Sequence, residues 1–297
     1  MFLTEGPERT TIDTVPIGSI LLVMTSVSLR SRLGHRGLIE SREMRMAQTF
    51  AGKTILVTGG ARGLGAAIAR AFAENGADVA ISYVASDEKA QAVVADVRKH
   101  GVRGEACKAD QADPAQISRL VGEVVDRLGK LDILVNNAAV AWLGTRVGAD
   151  NYDAEKMSQQ WTINTLGVVA TIRAAAKVLS NGGRIISISS GLGSRANQPG
   201  VSDYAATKAA INMFSKGVAH DLADRNITVN VIQAGLIDTG IAVSPDVEAR
   251  MRAGLASRPI KRPARVDEIA AGVLFLASPA ASYMTGAIID IDGGFAA

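Results

Sequence analysis

The sequence predicts an α/β protein with one doubly wound parallel sheet of about seven strands, helices on both faces, and a single domain. Short runs rich in valine and isoleucine alternate with segments of helical periodicity from Gly52 onward. A glycine-rich turn joins the first of these runs to the first helical segment. No internal repeat or long linker separates a second unit, and 297 residues with 47% hydrophobic content suffice for one sizeable core.

In the first half of this region, predicted strands and helices alternate one for one. Strands are predicted over residues 54–57, 78–83, 102–108 and 131–135. The first helix carries Leu64, Ile68 and Phe72 at a spacing of four residues, which places them on one face. Further helices are predicted over residues 87–100, from Pro114, which suits a first helical turn, and over about residues 155–179.

The second half continues the pattern. Strands are predicted over residues 184–190, 227–232 and 287–292, and helices over residues 204–221, 246–257 and 267–276. Because parallel strands end at the same edge of their sheet, polar residues that follow them should meet there, where such sheets bind ligands. That edge is expected to carry the glycine-rich turn, Asp110, Asn136, Ser190 and the turn at Gly235.

Tyr204 and Lys208 are four residues apart, so both side chains should lie on one face of their helix. A lysine near the apolar face of a helix is costly unless its charge is used. A nearby ammonium lowers the pKa of a phenol from its usual value of about 10, so we predict that Lys208 makes Tyr204 a usable acid. Ser190, at the end of its strand, could then hold a substrate oxygen. The pair also fits a capping tyrosine and a lysine that extends to solvent.

The turn over residues 58–65 predicts a phosphate-binding site. Glycines between a strand and a helix permit a tight turn and let backbone N–H groups approach a pyrophosphate at the helix N-terminus. The spacing is Gly-x-x-x-Gly-x-Gly, and a glycine-rich turn without a ligand is the alternative. Contacts to a dinucleotide are expected at Gly59, Arg62, Gly63, Leu64 and Gly65.

The second strand indicates which dinucleotide is preferred. It ends at Tyr83 without the carboxylate that normally binds a ribose 2′-hydroxyl. Arg62 lies within the glycine turn, where it can meet a 2′-phosphate. We therefore predict NADP(H) in preference to NAD(H). Asp87 keeps NAD(H) possible, because a strand one register longer would bring this carboxylate close.

From about Phe50 to Phe295 the chain resembles the short-chain dehydrogenase/reductases, in the single-domain branch that includes 3-oxoacyl-carrier-protein reductases. This resemblance implies a Rossmann fold. Its motifs follow in order: the glycine turn, Asp110, Asn136-Asn-Ala-Ala139, Asn164, Ser190, Tyr204-x-x-x-Lys208, Gly235 to Thr239, and Asp292-Gly-Gly294. Each motif is short, but their combination in this order is specific.

The resemblance implies an oxidoreductase that moves hydride between nicotinamide C4 and a carbonyl or secondary alcohol. Tyr204 would exchange the proton, Lys208 would lower its pKa and hold the nicotinamide ribose, and Ser190 would position the substrate oxygen. Asn164 is similar to an asparagine that anchors a water on the proton path. The remaining cofactor positions implied are Asp110, Asn136, Gly235 and Thr239.

Two further points follow from the resemblance. It implies a homo-oligomer, either a tetramer or a dimer. A non-catalytic NADP-binding sensor is the alternative function, although a sensor would not need all four groups at positions 164, 190, 204 and 208. The substrate is left open, because it depends on the loops over residues 191–202 and 236–262. Arg195, in the first of these loops, could meet an anionic substrate or be a solvated charge.

Composition excludes several classes of partner and site. The net charge of +3 and the lack of a basic run in the body of the chain give no reason to expect nucleic acid. Cys107 is the single cysteine, which rules out an internal disulfide and fits the reducing cytoplasm. The three histidines lack metal-ligand spacing, so no metal site is expected.

Residues 1–48 differ from the rest, and we predict a disordered extension. Their one apolar run, residues 17–27, is too short to span a bilayer. Acidic residues precede this run where a secretory signal carries positive charge. One hypothesis is a start codon placed too early, with Met46 as the natural beginning.

Overall fold

The computed structural model describes residues 49–240, 249, 253–256 and 258–297. The predicted extension over residues 1–48 therefore lies outside the described residues, as does most of the helix predicted over residues 246–257. Within the described ranges, no helix combines the length and apolar character needed to cross a bilayer.

Seven parallel strands form the central sheet. The strands among the described residues are β1 (Thr54–Val57), β2 (Asp78–Tyr83), β3 (Gly104–Lys108), β4 (Leu131–Asn136), β5 (Leu179–Ser190), β6 (Thr228–Ala234), β7 (Ile237–Asp238), β8 (Ala264–Arg265) and β9 (Ile288–Ile291). The sheet order is β3-β2-β1-β4-β5-β6-β9, while β7 and β8 pair only with each other. The predicted doubly wound sheet of seven strands is confirmed. The small β7–β8 pair was not predicted, because two-residue strands have no periodicity to detect.

Helices cover both faces of this sheet. They are α1 (Gly63–Glu74), α2 (Asp87–Arg98), α3 (Pro114–Leu128), α4 (Ala154–Trp161), α5 (Gly167–Ala176), α6 (Ser202–Asp221) and α7 (Val266–Ala277). One apolar core joins the sheet to α1, α2 and α7, and a second joins it to α3, α5 and α6. Successive residues of a strand point to opposite faces, so Ile55 and Val57 enter the first core and Leu56 the second.

The prediction of one long helix over residues 155–179 is wrong in two places, at the middle of the segment and at its end. A π-helical turn at Thr162–Leu166 separates α4 from α5, and the amide of Gly167 donates to the carbonyl of Thr162, five residues back. The helix ends at Ala176, and β5 begins at Leu179 rather than at residue 184. Apolar periodicity does not register one extra residue in a turn, so the π segment could not be predicted.

Candidate active site

The carboxyl edge of the sheet has its crevice where the winding reverses. β1 pairs with β2 on one side and with β4 on the other. The connection that leaves β1 therefore runs toward β2, whereas the connection that leaves β4 runs the other way, toward β5, and a crevice opens between the two strand ends. The amide of Thr58 donates to the carbonyl of Val135 at 3.0 Å, which joins the exits of β1 and β4. The glycine turn leaves β1 at this point. Ser190 ends β5, and Asp110 and Gly235 follow the ends of β3 and β6.

The glycine turn needs glycine for conformation and for space. Gly59 has φ +66° and Gly63 has φ +53°, in the left-handed region that favours glycine. A Cβ on Gly65 would lie 2.4 Å from the carbonyl oxygen of Gly59 and 2.5 Å from Nδ2 of Asn137. The start of α1 is therefore drawn tightly against the turn and the end of β4.

Polar side chains from three strands hold this turn in place. Oγ1 of Thr58 accepts from the amides of Asn137 and Ala138, at 3.0 and 3.1 Å. Nδ2 of Asn137 donates back to the carbonyls of Thr58 and Gly59, and the amide of Gly59 donates to Oγ of Ser82 at 3.1 Å. Sequence reasoning gave Ser82 and Asn137 no role. Only the position of Asn137 within the Asn-Asn-Ala-Ala motif could have indicated one.

The start of α1 fits an anionic ligand. Arg62 is its N-cap, with an extended backbone, an exposed side chain, and no capping hydrogen bond from that side chain. The first amides of a helix need acceptors, and its N-terminus favours negative charge. Leu64 instead points into the core beneath the turn and fixes the helix there. These features fit a pyrophosphate at the glycine turn and a further phosphate near Arg62.

The end of β2 settles where Asp87 lies. The strand stops at Tyr83, and Asp87 is the first residue of α2, exposed and bonded to the hydroxyl of Tyr83. That hydrogen bond raises the pKa of Tyr83. The longer strand that would have brought Asp87 to the crevice is therefore not formed.

Asp110 and Asn136 stabilise the edge of the sheet. Oδ1 of Asp110 accepts from the amide of Ala112 at 2.9 Å and closes the turn that leads to α3. Asn136 is only 2% exposed, and its Nδ2 donates to Oγ of Ser187 at 3.2 Å, which joins β4 to β5. Its buried Oδ1 has no partner among the described residues. An orphaned acceptor of this kind costs about 1–3 kcal/mol, so a bound group or water would stabilise it.

Ser190, Tyr204 and Lys208 come together at the end of β5. As their spacing predicts, the Nζ of Lys208 lies on the same face of α6 as the ring of Tyr204, 5.7 Å from its centroid. The hydroxyl of Tyr204 lies beside the side chain of Ser190, and Tyr204 is partly exposed. Lys208 is 4% exposed, and its Nζ donates to the carbonyl of Ile188 at 3.0 Å. A solvated lysine is therefore excluded.

The electrostatics of this pair differ from the prediction. Burial raises the pKa of Tyr204 to about 12, and the hydrogen bond with Ser190 opposes that rise. Burial also lowers the pKa of Lys208 to about 8. The prediction that Lys208 lowers the pKa of Tyr204 is therefore wrong for the protein without a bound cofactor. Both groups lose water, and the ammonium is bonded to a carbonyl rather than to the phenol.

Asn164 lies in the π-helical turn and is fully buried. Its Oδ1 accepts from the amide of Val140 at 2.9 Å, and its Nδ2 donates to the carbonyl of Val140 at 2.8 Å. The same Nδ2 lies 3.4 Å from Oγ1 of Thr207 on α6. The side chain of Asn164 thus joins the segment after β4 to the helix that carries Tyr204.

Gly235 and Thr239 follow β6. A Cβ on Gly235 would lie 2.7 Å from Cα of Asp292, and the amide of Gly235 donates to the carbonyl of Ile291 at 3.0 Å. Glycine is therefore needed here because the end of β9 approaches closely. Thr239 is partly exposed and follows β7, two residues before the undescribed segment 241–248.

Comparison with known proteins agrees with this architecture. A family model described as Enoyl-(Acyl carrier protein) reductase matches residues 59–296. A 3-oxoacyl-[acyl-carrier-protein] reductase of Staphylococcus aureus is 39% identical over 250 residues, which cover 82% of this chain and 97% of the relative.

Two solved structures are similar over most of the chain. One is a blue fluorescent protein from a metagenomic library in complex with NADPH, with TM-score 0.80, 40% identity, and coverage of 84% of this chain and 100% of the other. The second is a short-chain dehydrogenase from Burkholderia cenocepacia in complex with NADP, with TM-score 0.79, 40% identity, and coverage of 85% and 100%.

Proposed function

The chain belongs to the short-chain dehydrogenase/reductase family, and we propose that it is an NADP(H)-dependent oxidoreductase that interconverts a carbonyl and a secondary alcohol. One observation carries the proposal. A tyrosine hydroxyl beside a serine, with a buried lysine next to the ring, lies at the strand edge that also holds the glycine turn. Perturbed titratable groups at such a ligand-binding edge are typical of active sites.

The glycine turn and the start of α1 would hold the cofactor pyrophosphate, and Arg62 would meet the 2′-phosphate. Solved relatives with NADPH and NADP support the phosphorylated dinucleotide. Asp87, the residue that kept NAD(H) possible, begins α2 and accepts from the hydroxyl of Tyr83 instead of extending β2. We propose that Asp110, Asn136, Gly235 and Thr239 shape the adjoining pocket, chiefly through their backbone. When bound, NADPH supplies hydride to the carbonyl carbon.

The proton would come from Tyr204. With a pKa of about 12, its hydroxyl is protonated at neutral pH, which is the form that donates in carbonyl reduction. Ser190, whose side chain lies beside this hydroxyl, would hold the same carbonyl oxygen. Lys208, with a pKa of about 8, is mostly cationic at neutral pH and would hold the hydroxyls of the nicotinamide ribose. Asn164 would keep the segment after β4 and the tyrosine helix in register.

Two competing activities are less well supported. Enoyl reduction, named by the matching family model, is expected with a wider spacing of tyrosine and lysine than the four residues found here. A non-catalytic sensor has no need for a lysine buried without a carboxylate partner, because that burial costs stability. The four positioned groups therefore favour carbonyl chemistry.

The function is tested by following NADPH oxidation at 340 nm against ketones, quinones and a 3-oxoacyl thioester. The thioester is included because of the name of the Staphylococcus relative. We expect turnover of at least one carbonyl, faster with NADPH than with NADH. Binding of NADPH without turnover across the whole panel would support the sensor instead.

We also propose a homo-oligomer in the cytoplasm. Exposed apolar side chains on two helices and a loop, Met213, Phe275 and Tyr283, supply surface that an assembly could bury. Sedimentation velocity tests the assembly, and a monomer at micromolar concentration would contradict it. The lone buried Cys107 is compatible with a reducing compartment.

A further inference from the structure

Residues 292–297 fold into a rigid turn after β9, here called the clasp. Asp292 is 7% exposed, and its carboxylate accepts three backbone N–H groups. They belong to Gly294 at 2.8 Å, Phe295 at 3.1 Å and Ala296 at 2.9 Å. Charge-assisted hydrogen bonds of this kind are strong, so the turn is well defined although its last residues are exposed.

The clasp packs directly on the residue that follows Ser190. A Cβ on Gly191 would lie 2.7 Å from Cδ1 of Phe295, so the ring covers the bare backbone of Gly191. The guanidinium of Arg258 lies 4.8 Å from the centroid of the same ring and donates to the carbonyl of Asp292 at 3.3 Å. The ring of Phe295 is thus held between the backbone of Gly191, in the loop after Ser190, and the guanidinium of Arg258.

Arg195 closes the contact from the other side of that loop. Its Nη1 donates to the carbonyls of Phe295 at 3.2 Å and Ala297 at 2.8 Å. Its own amide donates to the carbonyl of Gly191 at 3.0 Å. Arg195 is exposed, and its Nη1 is held by residues about a hundred positions further along the chain.

The loop in question sets the orientation of the Ser190 hydroxyl. The amide of Leu192 donates to Oγ of Ser190 at 3.2 Å, within a 3₁₀ turn of three residues, Gly191–Gly193. A turn this short has poor hydrogen-bond geometry of its own and depends on its neighbours. The carboxyl end of the loop is fixed by Nε2 of Gln233, which donates to Oγ of Ser194 at 2.7 Å. Phe295 and Arg195 cover the remaining side.

We propose that the clasp is a positioning element for Ser190, in which Phe295 and Arg195 fix the Gly191–Gly193 turn from outside the reacting centre. The proposal rests on the proposed function, since it gives Ser190 a substrate oxygen to hold. A displacement of about 1 Å at a catalytic group can cost on the order of 100-fold in rate. Loosening the turn should therefore reduce kcat without weakening NADPH binding at the glycine turn, which follows β1 and is separated from β5 by β4.

A double-mutant cycle on Phe295 and Gly191 tests the contact. Phe295→Ala should lower kcat by about 10- to 100-fold, with the Kd for NADPH within about twofold of the wild type. Phe295→Leu should restore most of the rate. Gly191→Ala should also lower kcat, because its new methyl meets the ring. In the double variant the losses should not multiply, since the alanine methyl then enters the space left by the ring.

Hydrogen exchange provides a readout that is independent of turnover. In Phe295→Ala and Arg195→Ala, amides of residues 191–195 should exchange at least tenfold faster than in the wild type. The control Val178→Ala, at an exposed valine after α5, should leave them unchanged. A wild type without carbonyl activity defeats the proposed function, while the exchange experiment still tests the clasp. Unchanged kcat and unchanged exchange in Phe295→Ala, or losses that multiply in the cycle, would overturn the clasp proposal.

Discussion

Replacing the buried Lys208 by methionine should stabilise the fold while removing activity. Burial lowers the pKa of this lysine from 10.5 to about 8, which corresponds to about 3 kcal/mol of unfavourable free energy for the charged form. Methionine removes this cost, but it also removes the hydrogen bond to the carbonyl of Ile188, which offsets about 1–1.5 kcal/mol of the stabilisation. Lys208→Met should therefore raise the free energy of unfolding at pH 7 by about 1–2 kcal/mol.

The pH dependence gives this prediction its sign. Between pH 8 and about 10.5 the unfolded chain binds a proton at Lys208 that the folded chain has released, so wild-type stability rises with pH in that window. The variant lacks this rise, and its advantage should disappear or reverse by pH 10. Urea unfolding at pH 7 and pH 10 measures both values, with Lys216→Met, an exposed position on the same helix, as control. A Lys208→Met protein less stable than the wild type at pH 7 would refute the reasoning.

Three further substitutions separate the parts of the structure. Gly65→Ala should weaken NADPH binding at least tenfold, because its methyl would press on the carbonyl of Gly59. The control Gly122→Ala, on α3, places its methyl in open space and should leave binding unchanged. Fluorescence titration with NADPH measures both. Arg62→Ala should raise the KM for NADPH about tenfold and leave that for NADH nearly unchanged, and equal effects on both would contradict a 2′-phosphate contact. Asp132→Asn should lower the free energy of unfolding by about 1–3 kcal/mol without lowering kcat, and denaturant titrations at pH 7 measure the loss. The reason is that this buried carboxylate accepts from the amide of Thr54 and pairs with two lysines. Burial raises the pKa of Asp132, but these partners outweigh it and the net shift is downward, so its contribution should persist at neutral pH and vanish as the pH falls through the folded pKa.

Local patterns were enough to predict the sheet and most of its helices. Alternating apolar residues in β1 assign both faces, and Pro114 begins α3 as its position suggests, behind an Asp113 side chain that accepts two helix amides. A spacing of four residues likewise places Tyr204 and Lys208 together on α6. In each case the deciding interaction lies within one or two turns of chain.

Features that depend on distant residues could not be predicted. In the π turn, Asn164 forms hydrogen bonds with Val140 and Thr207. Both partners are far along the chain, so apolar periodicity around Asn164 carries no information about them. Arg195 resembles an ordinary loop charge until the fold brings residues 295 and 297 beside it. The pKa of Tyr204 was predicted in the wrong direction because the loss of water around the phenol depends on the whole packed site.

Single-turnover oxidation of NADPH by Tyr204→Phe tests the central claim most directly. The enzyme is saturated with NADPH, mixed with a carbonyl that the wild type reduces, and compared with Tyr283→Phe, which alters a fully exposed tyrosine. We predict a rate at least 1,000-fold below that of the wild type in Tyr204→Phe, with NADPH affinity unchanged and with Tyr283→Phe within twofold of the wild type. A Tyr204→Phe rate within tenfold of the wild type would show that the proton comes from elsewhere.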